Sequence, residues 1–306
     1  MKGPRWGALW LSMAAAIWGS MYVVSKIVLA TIPPLMLVWL RYGVALVTLL
    51  AAAMLVRASW RIARRDWWRV AQIGVVGYGV SISAQFIGTK LATAQLGSLI
   101  TAGTPAFMVI FAYLLLRERI TLSKIGAIVL ATMGVLLIVG MGVSTPHVRV
   151  GELILGIAAL SWAWMSVLVK TLPSMYSSLT VTLYAIAIAF CLMTPLAFTQ
   201  MSWSHLVAVM TYQPRLIGYV AYLGAVSTAV AFFLWNYGLQ QVEAGIGGLY
   251  LFFQPVVGGI LGWFWLGERF GWAFIGGAML IGFGVFLALR AENRLLKQAD
   301  ADPLGW

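Results

Sequence analysis

Two stretches of the chain align with each other without gaps: GALWLSMAAAIWGSMYVVSK at residues 7–26 and GELILGIAALSWAWMSVLVK at residues 151–170. They match at nine of twenty positions, and one of these matches pairs Trp18 with Trp162. Matching Leu or Ala could follow from apolar composition alone, whereas a matching Trp is much harder to obtain in that way. The two stretches therefore indicate an internal duplication of the chain.

A second alignment, of residues 94–139 with residues 244–289, supports the same conclusion. It contains fourteen matches in forty-six positions. Three of them involve residue types that are uncommon inside apolar helices: Pro105 with Pro255, Glu118 with Glu268, and Arg119 with Arg269. The alignments predict a first repeat over residues 1–145 and a second repeat over residues 146–306, the latter ending in a short cytoplasmic tail.

The composition indicates a polytopic membrane protein. Of the 306 residues, 62% are hydrophobic and 9% are charged, and the mean hydropathy is +0.95, whereas soluble domains are roughly 45–50% apolar and about 25% charged. A bilayer core about 30 Å thick needs roughly 20 apolar residues per helix. Ten runs predict ten transmembrane helices: 6–29, 35–56, 70–90, 94–116, 122–141, 151–171, 178–199, 216–240, 244–266 and 271–290.

The predicted fold is all-α, with five helices in each repeat. This number determines how the second repeat is oriented in the membrane relative to the first. Because five is an odd number, the second repeat must begin on the side of the membrane where the first one ended, so the repeats are predicted to be inverted. Fourteen Lys and Arg residues fall on the side of the N-terminus and five on the opposite side. The positive-inside rule then places both termini in the cytoplasm, and the compact loops suit a bacterial inner membrane.

Several functional classes are disfavoured by the distribution of reactive side chains. Cys191 is the only cysteine, and His147 and His205 are both predicted in polar connections, so no metal or other cofactor is expected. An intramembrane enzyme would need a nucleophile paired with a base, and none is predicted at membrane depth. The basic segment Arg57–Arg69 is expected to meet lipid headgroups rather than nucleic acid. No acidic residue is predicted at the midplane, which favours facilitated movement or exchange over ion coupling.

Three features of the chain match the pattern of a known family. Ala-Ile-Trp-Gly-Ser occupies residues 16–20, and Arg41 lies in the second predicted helix. Each half contains the signature Pro…Leu-x-Glu-Arg…Gly, as Pro105…Leu116-Arg117-Glu118-Arg119…Gly126 and as Pro255…Leu266-Gly267-Glu268-Arg269…Gly276. With ten spans in two repeats, the chain resembles the drug/metabolite transporter superfamily, and more specifically its EamA-type family.

The resemblance implies a secondary transporter, which uses no ATP and works by alternating access. The implied substrates are small amphipathic metabolites, with amino acids, including aromatic ones, among them, and the implied direction is export. A passive channel or facilitator and a lipid flippase of the same fold remain alternatives. The expected partners are a small-molecule substrate and membrane lipid, and the expected state is a monomer or a weak homodimer.

Polar and aromatic side chains inside the predicted helices point to a central cavity. Such residues are unfavourable at membrane depth unless they face the interior of the bundle. Stripes with helical spacing supply the candidate substrate-binding residues: Trp18, Tyr22, Tyr78, Ser81, Gln85, Thr101, Trp162, Trp235, Tyr250 and Gln254. Together they would form an uncharged pocket with aromatic walls, suited to small amphipathic solutes. The alternative is that the aromatic residues only pack between helices or anchor them at the interface.

Two prolines and several charged residues have predicted structural roles. Pro105 and Pro255 lie about halfway along their predicted helices, where the lost backbone hydrogen bond produces either a gating bend or a static kink. Arg41 either snorkels to the headgroups or pairs with an internal acceptor, and a structural or pathway-rim role is favoured over binding of a substrate carboxylate. The remaining charges are predicted to form caps and local ion pairs at helix ends: Glu118, Arg119, Glu268 and Arg269.

Overall fold

The computed structural model describes residues 4–91, 103–139, 146–266 and 272–301. All regular structure within these ranges is helical. Six of the described helices are long and apolar enough to cross a bilayer, and four further apolar helices are shorter. The structure therefore has the all-α class that the sequence predicts, and it fits a polytopic membrane protein.

The first half of the chain begins with two long helices separated by a pair of prolines. In chain order, α1 to α5 are Pro4–Leu29, Pro34–Leu55, the continuous helix formed by Trp67–Gln72, Ile73–Ser81 and Ile82–Leu91, Thr104–Leu116, and Leu122–Val139. Pro33 is extended, with φ −61° and ψ 153°, because a residue that precedes a proline avoids the helical region. Pro34 then occupies the first turn of α2, where a proline displaces no helical hydrogen bond.

The second half repeats this pattern of helices. In chain order, α6 to α10 are Pro146–Lys170, Ser178–Gln200, the continuous helix formed by Arg215–Ala221, Tyr222–Val230 and Ala231–Leu239, the continuous helix formed by Ala244–Leu249, Tyr250–Phe252 and Phe253–Leu266, and Trp272–Ala301. A short helix, Trp203–Tyr212, connects α7 to α8. It contains His205, which therefore lies in a connection as predicted, although this connection is helical. His147 lies in the first turn of α6 and not in a connection.

The middle segments of α3 and α8 are π-helical, at equivalent positions in the two halves. A π-helix has wider turns than an α-helix because its hydrogen bonds span five residues. In each segment a glycine permits close approach by a helix of the other half. A Cβ on Gly74 would lie 2.6 Å from Ala185 O in α7, and a Cβ on Gly224 would lie 2.4 Å from Val44 Cβ in α2. The same close contact is thus made twice.

α2 and α7 pack side by side and run antiparallel. Near the start of α2, the N–H of Leu35 donates to Gln200 Oε1 at the end of α7, over 3.0 Å. Beyond the other end of α2, Ser59 O accepts a hydrogen bond of 2.8 Å from Thr180 Oγ1, near the start of α7. α2 and α7, the second long helix of each half, therefore point in opposite directions.

Two further crossings bring backbone against backbone through glycines. A Cβ on Gly238 in α8 would lie 3.1 Å from Gly7 O in α1, and a Cβ on Gly88 in α3 would lie 3.0 Å from Gly151 O in α6. Gly7 and Gly151 are matched in the first alignment. The crossing of α1 with α8 is therefore repeated by the crossing of α6 with α3.

Candidate functional site

The two halves line a cavity of about 50 Å³. The first half lines it with Trp18, Met21, Ser81, Ile82, Gln85 and Thr104, and the second half lines it with Ala158, Ala159, Trp162, Phe232, Leu251 and Gln254. Two pairs of lining residues occupy aligned positions: Trp18 with Trp162, and Thr104 with Gln254. The cavity therefore lies where the halves meet, and both contribute equally to its described wall.

Three aromatic rings form one wall of the cavity. The rings of Trp18 and Trp162 meet edge to face, with centroids 5.2 Å apart and planes at 87°. The ring of Phe232 lies 5.8 Å from that of Trp18 and 5.4 Å from that of Trp162. Edge-to-face contacts of this kind are favourable for aromatic pairs. Each ring is thus held by the other two, and the wall presents a fixed apolar surface.

The polar groups near this wall are not all paired. Trp18 Nε1 donates to Ser227 O at 3.0 Å, and Ser81 Oγ donates to Ala158 O at 2.8 Å. By contrast, Trp162 Nε1 is buried and has no hydrogen-bond partner among the described residues. Buried donors are normally paired. The indole N–H of Trp162 is therefore an unsatisfied donor in a residue that lines the cavity, and no charged side chain belongs to the described wall.

Five of the ten predicted substrate-binding residues line the cavity: Trp18, Ser81, Gln85, Trp162 and Gln254. Three others are buried but do not line it: Tyr78, Trp235 and Tyr250. The side chain of Tyr22 and the whole of Thr101 lie outside the described residues. The structure thus brings half of the predicted set together around one space.

Tyr78 and Trp235 form a second layer behind the wall. The ring of Tyr78 stacks on Phe232 at 4.6 Å, and its hydroxyl accepts a hydrogen bond of 2.7 Å from Asn236 Nδ2. Trp235 Nε1 donates to Ser166 Oγ at 3.1 Å. Tyr78 lies inside the π-helical segment of α3, so the α-helical spacing that put it on the cavity face does not apply there.

Sequence reasoning did not select two prominent lining residues, Phe232 and Met21. Each lies one helical turn from a selected residue: Met21 is three residues after Trp18, and Phe232 is three residues before Trp235. Residues three apart lie on neighbouring positions of a helix face. This spacing was the available signal, but the apolar character of both residues gave no reason to prefer the cavity over ordinary packing.

The two predicted gating prolines have different surroundings. Pro105 lies in the first turn of α4 as described, where a proline is tolerated because N–H groups have no intrahelical partner, and the residues just before Gly103 lie outside the described range. Pro255 lies midway along α9, three residues after the end of its 3₁₀ segment, Tyr250–Phe252. Such tightening is expected where a proline leaves the carbonyl of Leu251 without its helical donor.

Arg41 is fully buried in α2, so the snorkelling alternative is wrong. Its Nε donates to Thr228 Oγ1 in α8 at 2.8 Å. The internal acceptor is therefore a hydroxyl group of the other half. Arg41 lies next to the cavity without lining it, since its Nη2 is 3.5 Å from the sulfur of Met21, which does line the cavity.

Glu118 faces Lys124 across the α4–α5 turn, as the predicted local ion pair requires, and it also caps a helix that is distant in sequence. Its Oε1 accepts the N–H of Ala244 at 2.8 Å and its Oε2 accepts the N–H of Gly245 at 3.1 Å. These are the first two residues of α9, in the other half of the chain. A carboxylate at a helix N-terminus satisfies free N–H groups and complements the helix dipole.

Two lysines complete the cluster around Glu118. The Nζ atoms of Lys124 and Lys170 lie 3.8 Å and 3.7 Å from its carboxylate oxygens. Lys124 Nζ also donates to Arg119 O at 3.0 Å, while the side chain of Arg119 is exposed. The cluster joins the α4–α5 turn, the end of α6 and the start of α9. The corresponding Glu268 and Arg269 lie outside the described residues.

Comparison with known proteins identifies the family. The pattern of the EamA-like transporter family matches residues 5–140 and, a second time, residues 149–290. The chain belongs to the EamA-like transporter family. The two matched ranges contain every described residue that lines the cavity. The resemblance inferred from the sequence motifs is thereby confirmed, and this EamA-family chain is a membrane transporter.

Relatives from bacteria and archaea match this EamA chain over most of its length. The Bacillus subtilis uncharacterized transporter YetK is 29% identical over 96% of this chain and 88% of its own. An uncharacterized transporter of Archaeoglobus fulgidus is 26% identical over 92% of this chain and 97% of its own. Protein PecM of Dickeya dadantii is 24% identical over 95% and 94% of the two chains.

A solved crystal structure has the same fold as this EamA chain. It superposes with a TM-score of 0.74 and covers 94% of this chain and 98% of the other, although only 19% of the aligned residues are identical. At that level of identity the likeness establishes the arrangement of the helices and nothing about the substrate.

Proposed function

We propose that this protein is a secondary transporter that works by alternating access and has no enzymatic activity. The observation that carries the proposal is the cavity between the halves, to whose described wall each half contributes six residues. A site at such an interface can be exposed first to one side of the membrane and then to the other when the halves rock.

The membrane arrangement is the second part of the proposal: ten helices in two inverted repeats, residues 1–145 and 146–306, with both termini in the cytoplasm of a bacterial cell. The antiparallel packing of α2 with α7 supports inversion, because these helices correspond. The arginine-rich loop before α3 contacts the α6–α7 connection, since Tyr176 OH donates to Asp66 Oδ2 at 2.7 Å. Both connections therefore lie at one end, which the positive-inside rule makes cytoplasmic.

The proposed substrates are small amphipathic metabolites, with aromatic amino acids as the leading class and export as the direction. The aromatic wall of Trp18, Trp162 and Phe232 suits a flat apolar group. The indole N–H of Trp162 and the amides of Gln85 and Gln254 can bind the polar part of a solute. A mostly apolar pocket with a few convergent polar groups is typical of small-molecule sites.

A thermal-stabilisation screen of the purified protein against amino acids and small metabolites is the first step of the test. Uptake of each stabilising solute into liposomes is then measured. We expect rates that saturate with concentration and rise when the same solute is present on the trans side. Solute flux that neither saturates nor responds to trans solute would contradict the carrier and favour a channel, and transfer of labelled lipid in place of solute would favour a flippase.

Replacing Trp162 with Ala is expected to lower transport of the identified solute about tenfold. The change removes the edge-to-face contacts with Trp18 and Phe232 and also the unpaired N–H donor. Initial uptake rates in liposomes with equal protein content measure the effect. Trp164→Ala is the matched control in the same helix, because Trp164 contacts Phe111 and does not line the cavity. Equal rates for the two variants would remove Trp162 from the site.

Replacing Pro255 with Ala is expected to slow transport about fivefold, equivalent to about 1 kcal/mol in barrier height. The added N–H can donate to Leu251 O and stiffen α9 at the position of its 3₁₀ segment. Liposome uptake measures the rate, and size-exclusion chromatography confirms folding. Pro195→Ala is the control, since Pro195 lies inside α7 and away from the cavity wall. Unchanged transport by the Pro255 variant would support a static kink.

A further inference from the structure

Arg41 is a fully buried positive charge with an incomplete set of partners. Its Nε donates to Thr228 Oγ1 at 2.8 Å, and its guanidinium carbon lies 5.0 Å from the ring centre of Phe86. Its Nη1 has no hydrogen-bond partner among the described residues. The ion pairs formed within the described ranges do not include Arg41 either.

A buried guanidinium without an anion is unfavourable. Desolvated charges in proteins are normally paired or hydrogen-bonded at every site, and intramembrane arginines generally serve a pathway or a ligand. A hydroxyl, a thioether and an aromatic ring supply only part of what the guanidinium needs. Among the described residues, Arg41 therefore has no counter-ion. Another molecule with a negative charge can supply it.

Helix packing does not explain the presence of this arginine. The approach of Gly224 to α2 at Arg41 O corresponds to the approach of Gly74 to α7 at Ala185 O. Ala185 is therefore the counterpart of Arg41 in the second half, and it is also fully buried. α3 therefore packs against α7 in the same way with the methyl side chain of Ala185 where α2 has the guanidinium of Arg41. The helix crossing does not require the charge.

The side chain of Met21 contacts Arg41 and also lines the cavity. The Nη2 atom of Arg41 lies 3.5 Å from the sulfur of Met21. Methionine has three rotatable bonds and adapts readily to new packing. A change of rotamer at Met21 would open the guanidinium to a solute next to the aromatic wall.

We propose that Arg41 binds a carboxylate of the transported solute, which makes the substrate class monocarboxylates with an apolar or aromatic body. This inference rests on the proposed transport function. The planar guanidinium can bind both oxygens of a carboxylate. No charged side chain belongs to the described cavity wall. The complex of Arg41 with a monocarboxylate that has no free amino group is therefore neutral overall, whereas an amino acid adds its ammonium charge, so the proposal favours carboxylates without that group.

The test measures binding of matched pairs of probes to the purified full chain by titration calorimetry. The pairs are 3-phenylpropionate with 3-phenylpropanamide, hexanoate with hexanamide, and N-acetylphenylalanine with its amide. We expect each carboxylate to bind about tenfold more tightly than its amide. In Arg41→Met the ratio of carboxylate affinity to amide affinity is expected to fall to about one. In Arg41→Lys it should lie between the two values, because lysine keeps the positive charge but cannot bind both carboxylate oxygens with a planar guanidinium.

Met21→Ala is a second variant that keeps the charge and removes the covering side chain. It is expected to raise the ratio of carboxylate to amide affinity. The proposal is overturned if amides bind as tightly as carboxylates, if no pair binds, or if the preference survives in Arg41→Met or is unchanged in Met21→Ala. Amide binding that depends on Trp162 would still support the cavity, so the transport function and the carboxylate preference fail separately.

Discussion

Replacing Glu118 with Ala is expected to lower the free energy of unfolding by about 3 kcal/mol and to favour opening of the end at which Glu118 lies. The side chain is only 11% exposed. Its carboxylate accepts two N–H groups at the start of α9 and faces Lys124 and Lys170. Its removal leaves both the helix end and the two lysines without their shared partner.

The same contact also joins the two halves. Glu118 follows α4, where the left-handed conformation of Arg117 (φ 57°) ends the helix, whereas α9 belongs to the second half. If the halves rock about the cavity, the bonds from Glu118 to α9 must break whenever this end opens. Loss of the carboxylate therefore removes an interaction that is specific to the state closed at this end, and the open state becomes more populated.

Two measurements check this result. The midpoint of thermal unfolding of the purified protein reports stability. Labelling of Thr104→Cys by a membrane-impermeant maleimide from the side of Glu118, which the proposed topology places in the cytoplasm, reports opening, since Thr104 is buried and lines the cavity. The labelling needs a Cys191→Ser background, because Cys191 is exposed. A shift of about 1.4 kcal/mol in the opening equilibrium would raise the labelling rate about tenfold.

Glu243→Gln is the matched control for Glu118→Ala. Glu243 pairs with Lys124 at 2.6 Å, but its side chain is 47% exposed, and exposed ion pairs contribute about 0–1 kcal/mol. Its replacement should change neither the unfolding midpoint nor the labelling rate appreciably. The unfolding midpoint and the labelling rate of Glu118→Gln should lie between those of Glu118→Ala and Glu243→Gln, since glutamine keeps a hydrogen-bond acceptor and loses the charge. Wild-type stability together with wild-type labelling in Glu118→Ala would contradict the cap as a link between the halves.

The helices could be predicted from the sequence because their signals are local. Most predicted helix ends lie near the observed ones, because apolar runs of bilayer length mark the helices and residues such as Pro33 and Pro34 mark their boundaries. α10 is an exception, since it continues to Ala301, beyond the predicted end at 290. The prediction ended α10 where its apolar run ends. A helix can continue into polar residues beyond such a run, and hydropathy does not show where it then ends.

Half of the predicted substrate-binding residues line the cavity, because residues spaced by one helical turn lie on the same face of a helix. Trp18 and Trp162 were found through the duplication, and Gln85 through its polarity. Tyr78 was predicted to line the cavity but lies behind its wall, because a single-sequence pattern does not reveal that this part of α3 is π-helical. The partners of Glu118 in α9 were beyond reach for the same reason, since its bonds span 126 and 127 residues of chain.

Replacing Gly238 with Leu is expected to destabilise the protein by about 2–3 kcal/mol and to abolish most transport. Gly238 lies where α8 crosses α1, and even a Cβ there would be 2.8 Å from Leu11 Cγ and 3.1 Å from Gly7 O. Leu11 is fully buried, so neither its side chain nor the backbone of Gly7 can move aside freely. The two helices must separate, and this displaces Trp18 and Phe232 of the aromatic wall, which lie on them.

Gly218→Leu is the control for the Gly238 variant in the same helix, because nothing lies within 4 Å of a Cβ at Gly218. It should keep the wild-type unfolding midpoint and uptake rate. The counterpart of Gly238 is Gly88, whose Cβ would lie 2.6 Å from Leu155 Cγ, so Gly88→Leu should be as harmful as Gly238→Leu. A tolerated leucine at either glycine would show that the two crossings are not equivalent, and the duplicated packing around the cavity would no longer explain its position.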